Sequence, residues 1–351
     1  MLFMVWEDSG SVIKAYAVPD DFTSRCNLNF FHDGELIKTV EPNAFNEFMK
    51  DRHETGQVGF VVDESIIEGL AGITELEVRD ATTNILVHRR TRKPVVAEKL
   101  FRLETHLFPL WRLDQWFKPH FRLWYDRIDR YTAETARNIL SFHDPNNIVA
   151  FQEPVSLYSS GRLLYKTFDY YIYTHQKTAI TIQNPYQELA ERLILFGRLG
   201  TDANKLLNDR DALIFAPIID IAAKLKNFDE AEFRDVLGKV EPRTLSLLAN
   251  PLTRQLTSST PDEPAVKGAV SLALKTLSEF DIVGVRSRND LFASAIGELV
   301  GVDTTGMPPL GEIPGSVPIA KQLRAVRWIE GLIEQDLELH AHVKMAFDAT
   351  E

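Results

Sequence analysis

Apolar and polar residues follow one rhythm in the first 90 positions and another in the rest of the chain. Short runs rich in β-branched and aromatic residues fill positions 2–7, 11–17, 26–31, 35–40, 57–62, 73–79 and 84–90. Turn formers separate them: Asp8-Ser9-Gly10, His32-Asp33-Gly34 and Asp80-Ala81-Thr82-Thr83-Asn84. Leu76 and Val78, then Ile85 and Val87, alternate with polar neighbours, as in a half-buried hairpin. Seven strands at this spacing predict a small sandwich or barrel, with a helical turn or two inside positions 43–52.

Beyond Lys93-Pro94 the spacing becomes helical. Leu100, Leu103, Leu107 and Leu110 recur at three- and four-residue intervals and predict a helix. A second helix is expected from Trp124 to Phe142, with Thr132 inside it rather than at its cap. The apolar runs Ile148–Phe151 and Ala179–Ile182 read as buried parallel strands. Pro185 then suits the first turn of a helix reaching about Gly200. Further helices are expected at about 211–226, 230–239, 264–279 and 289–300, with a strand at 280–285. Positions 301–318 hold four Pro and read as an exposed connection before a last helix, 319–347. The expected fold is α+β with two domains. A β-sandwich spans 1–93 and a helix-rich α/β domain with a small parallel sheet spans 94–351; a mostly helical second domain is the alternative.

Composition narrows the classes. The chain has 351 residues and is 44% hydrophobic, enough for a sizeable core and incompatible with disorder as the main architecture. Its net charge of −11 argues against general binding of nucleic acid or anionic membrane. The single Cys26 cannot form an internal disulfide. The start shows no signal-peptide pattern, and the longest clean apolar run, Ala212–Ile219, is too short to cross a bilayer. A soluble cytoplasmic protein without a transmembrane segment is expected.

Two resemblances add a function. Gly56–Glu64 with Leu76–Asp80 and Ile85–Arg90 resembles small β-sandwich modules attached to bacterial enzymes of surface-polysaccharide synthesis. Thr181–Arg192 is similar to the strand-then-helix segment of sulfotransferases that use 3′-phosphoadenylyl sulfate, and Phe280–Asp290 resembles their later strand and turn. The resemblance implies a sulfotransferase-like fold, that nucleotide as co-substrate and a glycan or polysaccharide precursor as acceptor. Where the family grips the donor's 3′-phosphate, however, this chain carries Gln183 and Glu191, and Glu188 stands in place of a second Arg. A carboxylate facing a phosphate at close range is repulsive. The family's glycine-bearing phosphate loop has no counterpart in 94–150, which lacks glycine altogether; the segment Tyr158–Thr167 is the candidate.

Individual residues follow from these readings. Ser159, Ser160, Gly161, Arg162 and Lys166, with Gln183, are the candidate donor-binding residues, as hydroxyls, a glycine and two cations suit a phosphate or anionic sugar. His143 and Glu153 flank the predicted strand at 148–151 and are the candidate catalytic bases. Positions 88–130 carry 11 Lys and Arg against 5 Asp and Glu, with Trp111, Trp116 and Trp124. That mixture suits an anionic glycan, or else helices whose Arg side chains cover aromatic residues. Asp209-Arg210-Asp211 has the metal-binding form of sugar-nucleotide transferases but reads as a helix cap. No zinc-type Cys/His cluster is present in the sequence, and no metal site is expected. The expected function is group transfer, sulfate included, to a glycan. The alternatives are a non-catalytic glycan-binding or scaffold relative and a sugar-nucleotide glycosyltransferase. The apolar stripe of the last helix faces either the chain's own core or a second copy of the chain.

Overall fold

Seven strands form within the first 90 residues: β1 (Leu2–Asp8), β2 (Val12–Val18), β3 (Leu28–His32), β4 (Glu35–Val40), β5 (Gly59–Asp63), β6 (Leu76–Asp80) and β7 (Leu86–Arg90). The computed structural model describes residues 1–144, 156–173, 176–199 and 207–349. The strands make two antiparallel sheets, ordered β1-β2-β5 and β4-β3-β6-β7. The inward rows are apolar: Phe3, Ile13, Val18, Phe30, Phe60 and Val78 are all but fully buried. The rings of Phe30 and Phe60, one from each sheet, meet edge to face at 6.4 Å. The helical turn expected near 43–52 is a single 3-10 turn, Glu47–Met49, capped by Asn46.

The chain divides into two compact units, Met1–Leu100 with Phe117–Ser159 and Thr174–Gln176, and Phe101–Trp116 with Ser160–Tyr173 and Lys177–Glu351. The division crosses β8 (Lys99–Leu103) and β10 (Leu157–Gly161), strands of a parallel five-stranded sheet ordered β12-β11-β8-β10-β9. β9 is Leu123–Tyr125, β11 is Lys177–Ile182 and β12 is Ile282–Val285.

In the first unit, the segment after Phe117 is held by specific bonds to the antiparallel sheets. The Tyr125 hydroxyl donates to the Leu86 carbonyl at 2.7 Å, and Arg89 donates to the Phe121 carbonyl at 3.0 Å. Arg89 also covers the Trp124 ring, 4.8 Å from its centroid. Here, the basic and aromatic stretch contains an Arg side chain lying over an aromatic ring.

In the second unit, α4 (Pro185–Leu199) and α5 (Asp209–Ala222) form the centre of a large apolar core. Phe196 and Phe215 stack at 5.5 Å. Gly197 lets the two helices approach: a Cβ there would meet the Ala222 carbonyl oxygen at 3.0 Å. The remaining helices are α6 (Glu230–Val236), α7 (Pro242–Leu245), α8 (Pro251–Thr257), α9 (Ala269–Leu277) and α10 (Asn289–Val300). These are followed by α11 (Ser316–Ala325), α12 (Arg327–Leu332) and α13 (Glu334–Asp348).

Three expectations are corrected. Leu100 and Leu103 lie in β8, and only past Leu110 does α1 (Trp111–Phe117) begin. A strand followed by a turn imitates helical spacing when the turn also buries leucines. The expected helix 124–142 is β9, a 3-10 turn and α2 (Ala133–Ser141); Thr132 caps it, accepting from the Thr135 amide. The last helix is broken into α11, α12 and α13. Its stripe turns inward, with Ile329 and Ile333 in the core and Leu337 against it. The predicted strand at 148–151 lies outside the described residues. No described helix is long and apolar enough to cross a membrane.

Candidate functional site

The carboxyl ends of parallel strands are where open α/β sheets place ligands. In the second unit, four such ends carry polar side chains. His106 follows β8, Arg162 follows β10, Gln183 follows β11 and Arg286 follows β12.

The turn after β8 is shaped by Glu104. One carboxylate oxygen accepts from the Thr105 and His106 amides at 3.1 and 3.2 Å. The other accepts from the Leu110 amide at 2.8 Å and from Arg102 at 2.6 Å. Burial alone would raise the Glu104 carboxyl; the Arg102 charge and these bonds outweigh it and hold it below its ordinary value. Arg102, wholly buried, also reaches Asp114 at 2.8 Å. Gln255 of α8 donates to the Glu104 carbonyl at 2.7 Å and to that of Leu163 at 3.0 Å, tying this turn to the one after β10.

The turn thus directs His106 at α4. Asn184 caps that helix, accepting from the Tyr186 and Gln187 amides, and Pro185 occupies its first position. Glu188, Glu191 and Arg192 share its buried face, as spacings of three and four residues dictate. Glu188 accepts from Arg192 Nε at 2.7 Å and lies 2.8 Å from His106 Nδ1. Burial pushes its carboxyl up, but Arg192 and His106 prevail and hold it at about 2. Glu191 is the opposite case. Arg286 lies 3.3 Å away and Gln183 lies beside it, yet neither carboxylate oxygen has a hydrogen bond of regular geometry among the described residues, and burial, with the Glu188 charge adding, pushes it up to about 7. Burial, then the Arg286 charge, lowers the His106 imidazole. Near Glu191, the Gln183 Nε2, Thr181 Oγ1 and Arg286 Nε atoms are buried with no hydrogen bond of regular geometry among the described residues. One ligand atom each from His106, Glu188 and Glu191 lies within 4.8 Å of the others, so these three side chains are placed to hold a metal ion.

The candidates named from sequence are distributed as follows. His143 and Ser159 are brought together in the first unit, Nε2 to Oγ at 2.7 Å, both buried. Ser159, Ser160 and Gly161 form the end of β10 rather than a phosphate loop, with all three side-chain positions buried. Arg162 pairs with Asp211 at 2.9 Å. Lys166 is exposed on α3 (Tyr165–Tyr173), and Gln183 lies beside Glu191. Glu153 lies outside the described residues. The cap of α5 is Asn208, not an aspartate: its side chain accepts from the Asp211 amide at 2.8 Å. Asp209 is exposed and Asp211 buried, as two-residue spacing on a helix requires, so they do not form a shared pair.

His106, Arg192 and Arg286 were not named as site residues from sequence, although Arg192 and Arg286 stand in the two quoted motifs and His106 in the basic and aromatic stretch 88–130; the partner that gives His106 its place, Glu188, is 82 positions away.

Comparison with protein-family models, with curated proteins and with solved structures finds no match.

Proposed function

We propose that the protein is a group-transfer enzyme whose reaction site is the carboxyl edge of the second unit's sheet. One observation carries this reading. Buried polar groups from three strand ends and one helix meet there, and the Glu191 carboxylate among them, paired with Arg286 at 3.3 Å and beside Gln183, has no hydrogen bond of regular geometry among the described residues. Unpaired polar groups cost roughly 1–3 kcal/mol each when buried, so a fold retaining several in one place favours a polar ligand as their partner.

Group transfer fits the mixture of charges. Arg286 and Arg162 supply planar cations suited to an anionic donor, and carboxylates beside them can orient an acceptor hydroxyl. The acceptor in this proposal is a glycan or polysaccharide precursor, and sulfate from 3′-phosphoadenylyl sulfate is the group to test first. In that transfer a sugar oxygen attacks sulfur, its proton leaves to a base, and adenosine 3′,5′-bisphosphate departs.

A second reading, a non-catalytic glycan-binding relative, is favoured by one feature. Glu188 is engaged by Arg192, Glu191 by Arg286 and Arg162 by Asp211, so these cations already face carboxylates of their own chain.

Calorimetric titration with adenosine 3′,5′-bisphosphate separates the two. Saturable binding that Arg162→Ala abolishes supports the transferase. Absence of binding at millimolar ligand, in protein shown to be folded, removes the sulfuryl donor and leaves the binding reading.

A further inference from the structure

We propose that His106, Glu188 and Glu191 form a binding site for an octahedral divalent cation of the Mn2+ type. The proposal deepens the group-transfer reading by supplying a cofactor at the same edge, but it stands on its own geometry.

The first argument is the position of one proton. The Thr105 hydroxyl lies 2.7 Å from the Thr181 carbonyl oxygen, which only accepts, so the hydroxyl proton occupies that contact. His106 Nε2 lies 3.2 Å from the same hydroxyl oxygen, a contact that becomes a hydrogen bond in the tautomer with its proton on Nε2. A neutral imidazole has a single N–H, so Nδ1 then presents a lone pair. That lone pair faces Glu188 Oε2 at 2.8 Å. In that tautomer the two facing acceptors call for a cation between them, either a proton or a metal ion. This arrangement is the one metal-bound histidines use: one nitrogen on the metal, the other donating to a fixed oxygen.

The second argument is Glu191. Its side chain is 2% exposed, Arg286 and Gln183 lie beside it, and neither oxygen has a hydrogen bond of regular geometry among the described residues. A proton on His106 satisfies the contact with Glu188 but does nothing for Glu191. A metal ion serves all three. Arg192 on Glu188 Oε1 and Arg286 near Glu191 Oε2 then act as outer partners, each holding one oxygen and leaving the other for the ion.

The third argument selects the ion. Metal–nitrogen and metal–oxygen bonds of about 2.1 Å, with their ends 2.8 Å apart, subtend roughly 85°. That is an octahedral angle, not a tetrahedral one. One imidazole and two carboxylates, with the His106–Glu188 pair at that angle, suit Mn2+ or Fe2+ better than structural zinc, and three protein ligands leave positions for substrate oxygens.

The test is equilibrium dialysis of chelator-treated full-length protein against Mn2+, with bound metal counted by elemental analysis. One ion per chain is expected, with affinity at least tenfold lower in Glu191→Gln. Thr105→Val keeps every charge and removes only the oxygen that receives the Nε2 proton; a 10- to 100-fold loss is expected there. Lack of saturable binding up to millimolar Mn2+ in folded wild-type protein, or binding unchanged in both variants, overturns the proposal. Neither result depends on adenosine 3′,5′-bisphosphate, so this site and the donor site fail separately.

Discussion

His143 Nε2 and Ser159 Oγ lie 2.7 Å apart in the interior of the first unit, while His143 Nδ1 has no hydrogen-bond partner among the described residues. Burial, with the charge of Lys99 adding, pushes the imidazole well below its ordinary value. The folded state therefore refuses a proton that the unfolded chain accepts near pH 6.5. The stability is fully present above that pH and is lost as pH falls below it. Denaturant midpoints for wild type are expected to decline between pH 7 and 5, and His143→Gln is expected to flatten part of that decline. An identical slope in the variant would show that the imidazole is not held neutral. Because His88, His106 and His340 are shifted the same way, the variant isolates only one share of the acid sensitivity.

Arg102 is the second test. It sits fully buried between Glu104 and Asp114, and Glu104 in turn holds the amides of the turn that carries His106. Removing one partner of a buried ion network leaves the others uncompensated, at a cost of about 3–5 kcal/mol. Arg102→Met keeps an unbranched apolar stem and loses the guanidinium and its charge. Urea unfolding is expected to show a destabilisation of that size, and Mn2+ binding is expected to weaken with it. A loss under 1 kcal/mol would mean that the two carboxylates find protons or water instead.

What sequence reveals here depends on whether the signal is local. The seven N-terminal strands are legible because each β-branched run is bounded by turn residues, and α4 is legible from Pro185 and the preceding Asn184. The region around Leu100–Leu110 is not, since a buried strand and a buried turn together reproduce helical spacing. Asp336 illustrates a longer-range limit. It accepts from the Leu252 and Thr253 amides and the Thr253 hydroxyl, capping α8 from some 80 residues away. The cluster at the carboxyl edge is hidden for the same reason. Gln183, Glu188 and Glu191 attract notice as departures from a motif, but their partners His106 and Arg286 come from distant strand ends. Pairing, not residue type, turns these departures into a site.

Gly284 gives a prediction about packing in the strand that positions Arg286. A Cβ at this glycine would lie 2.5 Å from Phe292 Cδ2, and Phe292 is itself 2% exposed, with little room to move. Overpacking of this kind costs about 1–3 kcal/mol. Gly284→Ala is expected to lower the urea midpoint accordingly, and Gly284→Ala with Phe292→Leu to recover part of the loss. Failure of the double variant to recover would locate the constraint in the strand backbone rather than in the ring.

Arg162 and Asp211 supply the sharpest test of the donor reading. Their 2.9 Å ion pair ties the end of β10 to the first turn of α5 and partly neutralises the cation offered to an anionic donor. If the donor phosphate competes with Asp211 for Arg162, weakening the internal partner strengthens ligand binding. Asp211→Asn keeps the side chain's size and removes its charge, leaving the Asn208 cap of α5 in place because the Asp211 backbone amide, not its side chain, makes that bond. Release of about 1 kcal/mol of pairing corresponds to roughly a fivefold gain in affinity for adenosine 3′,5′-bisphosphate. Calorimetry is therefore expected to rank Asp211→Asn above wild type and Arg162→Ala below it. The reverse order, or equal affinities, would make this pair a structural clamp between strand and helix and move the search for the donor cation to Arg286.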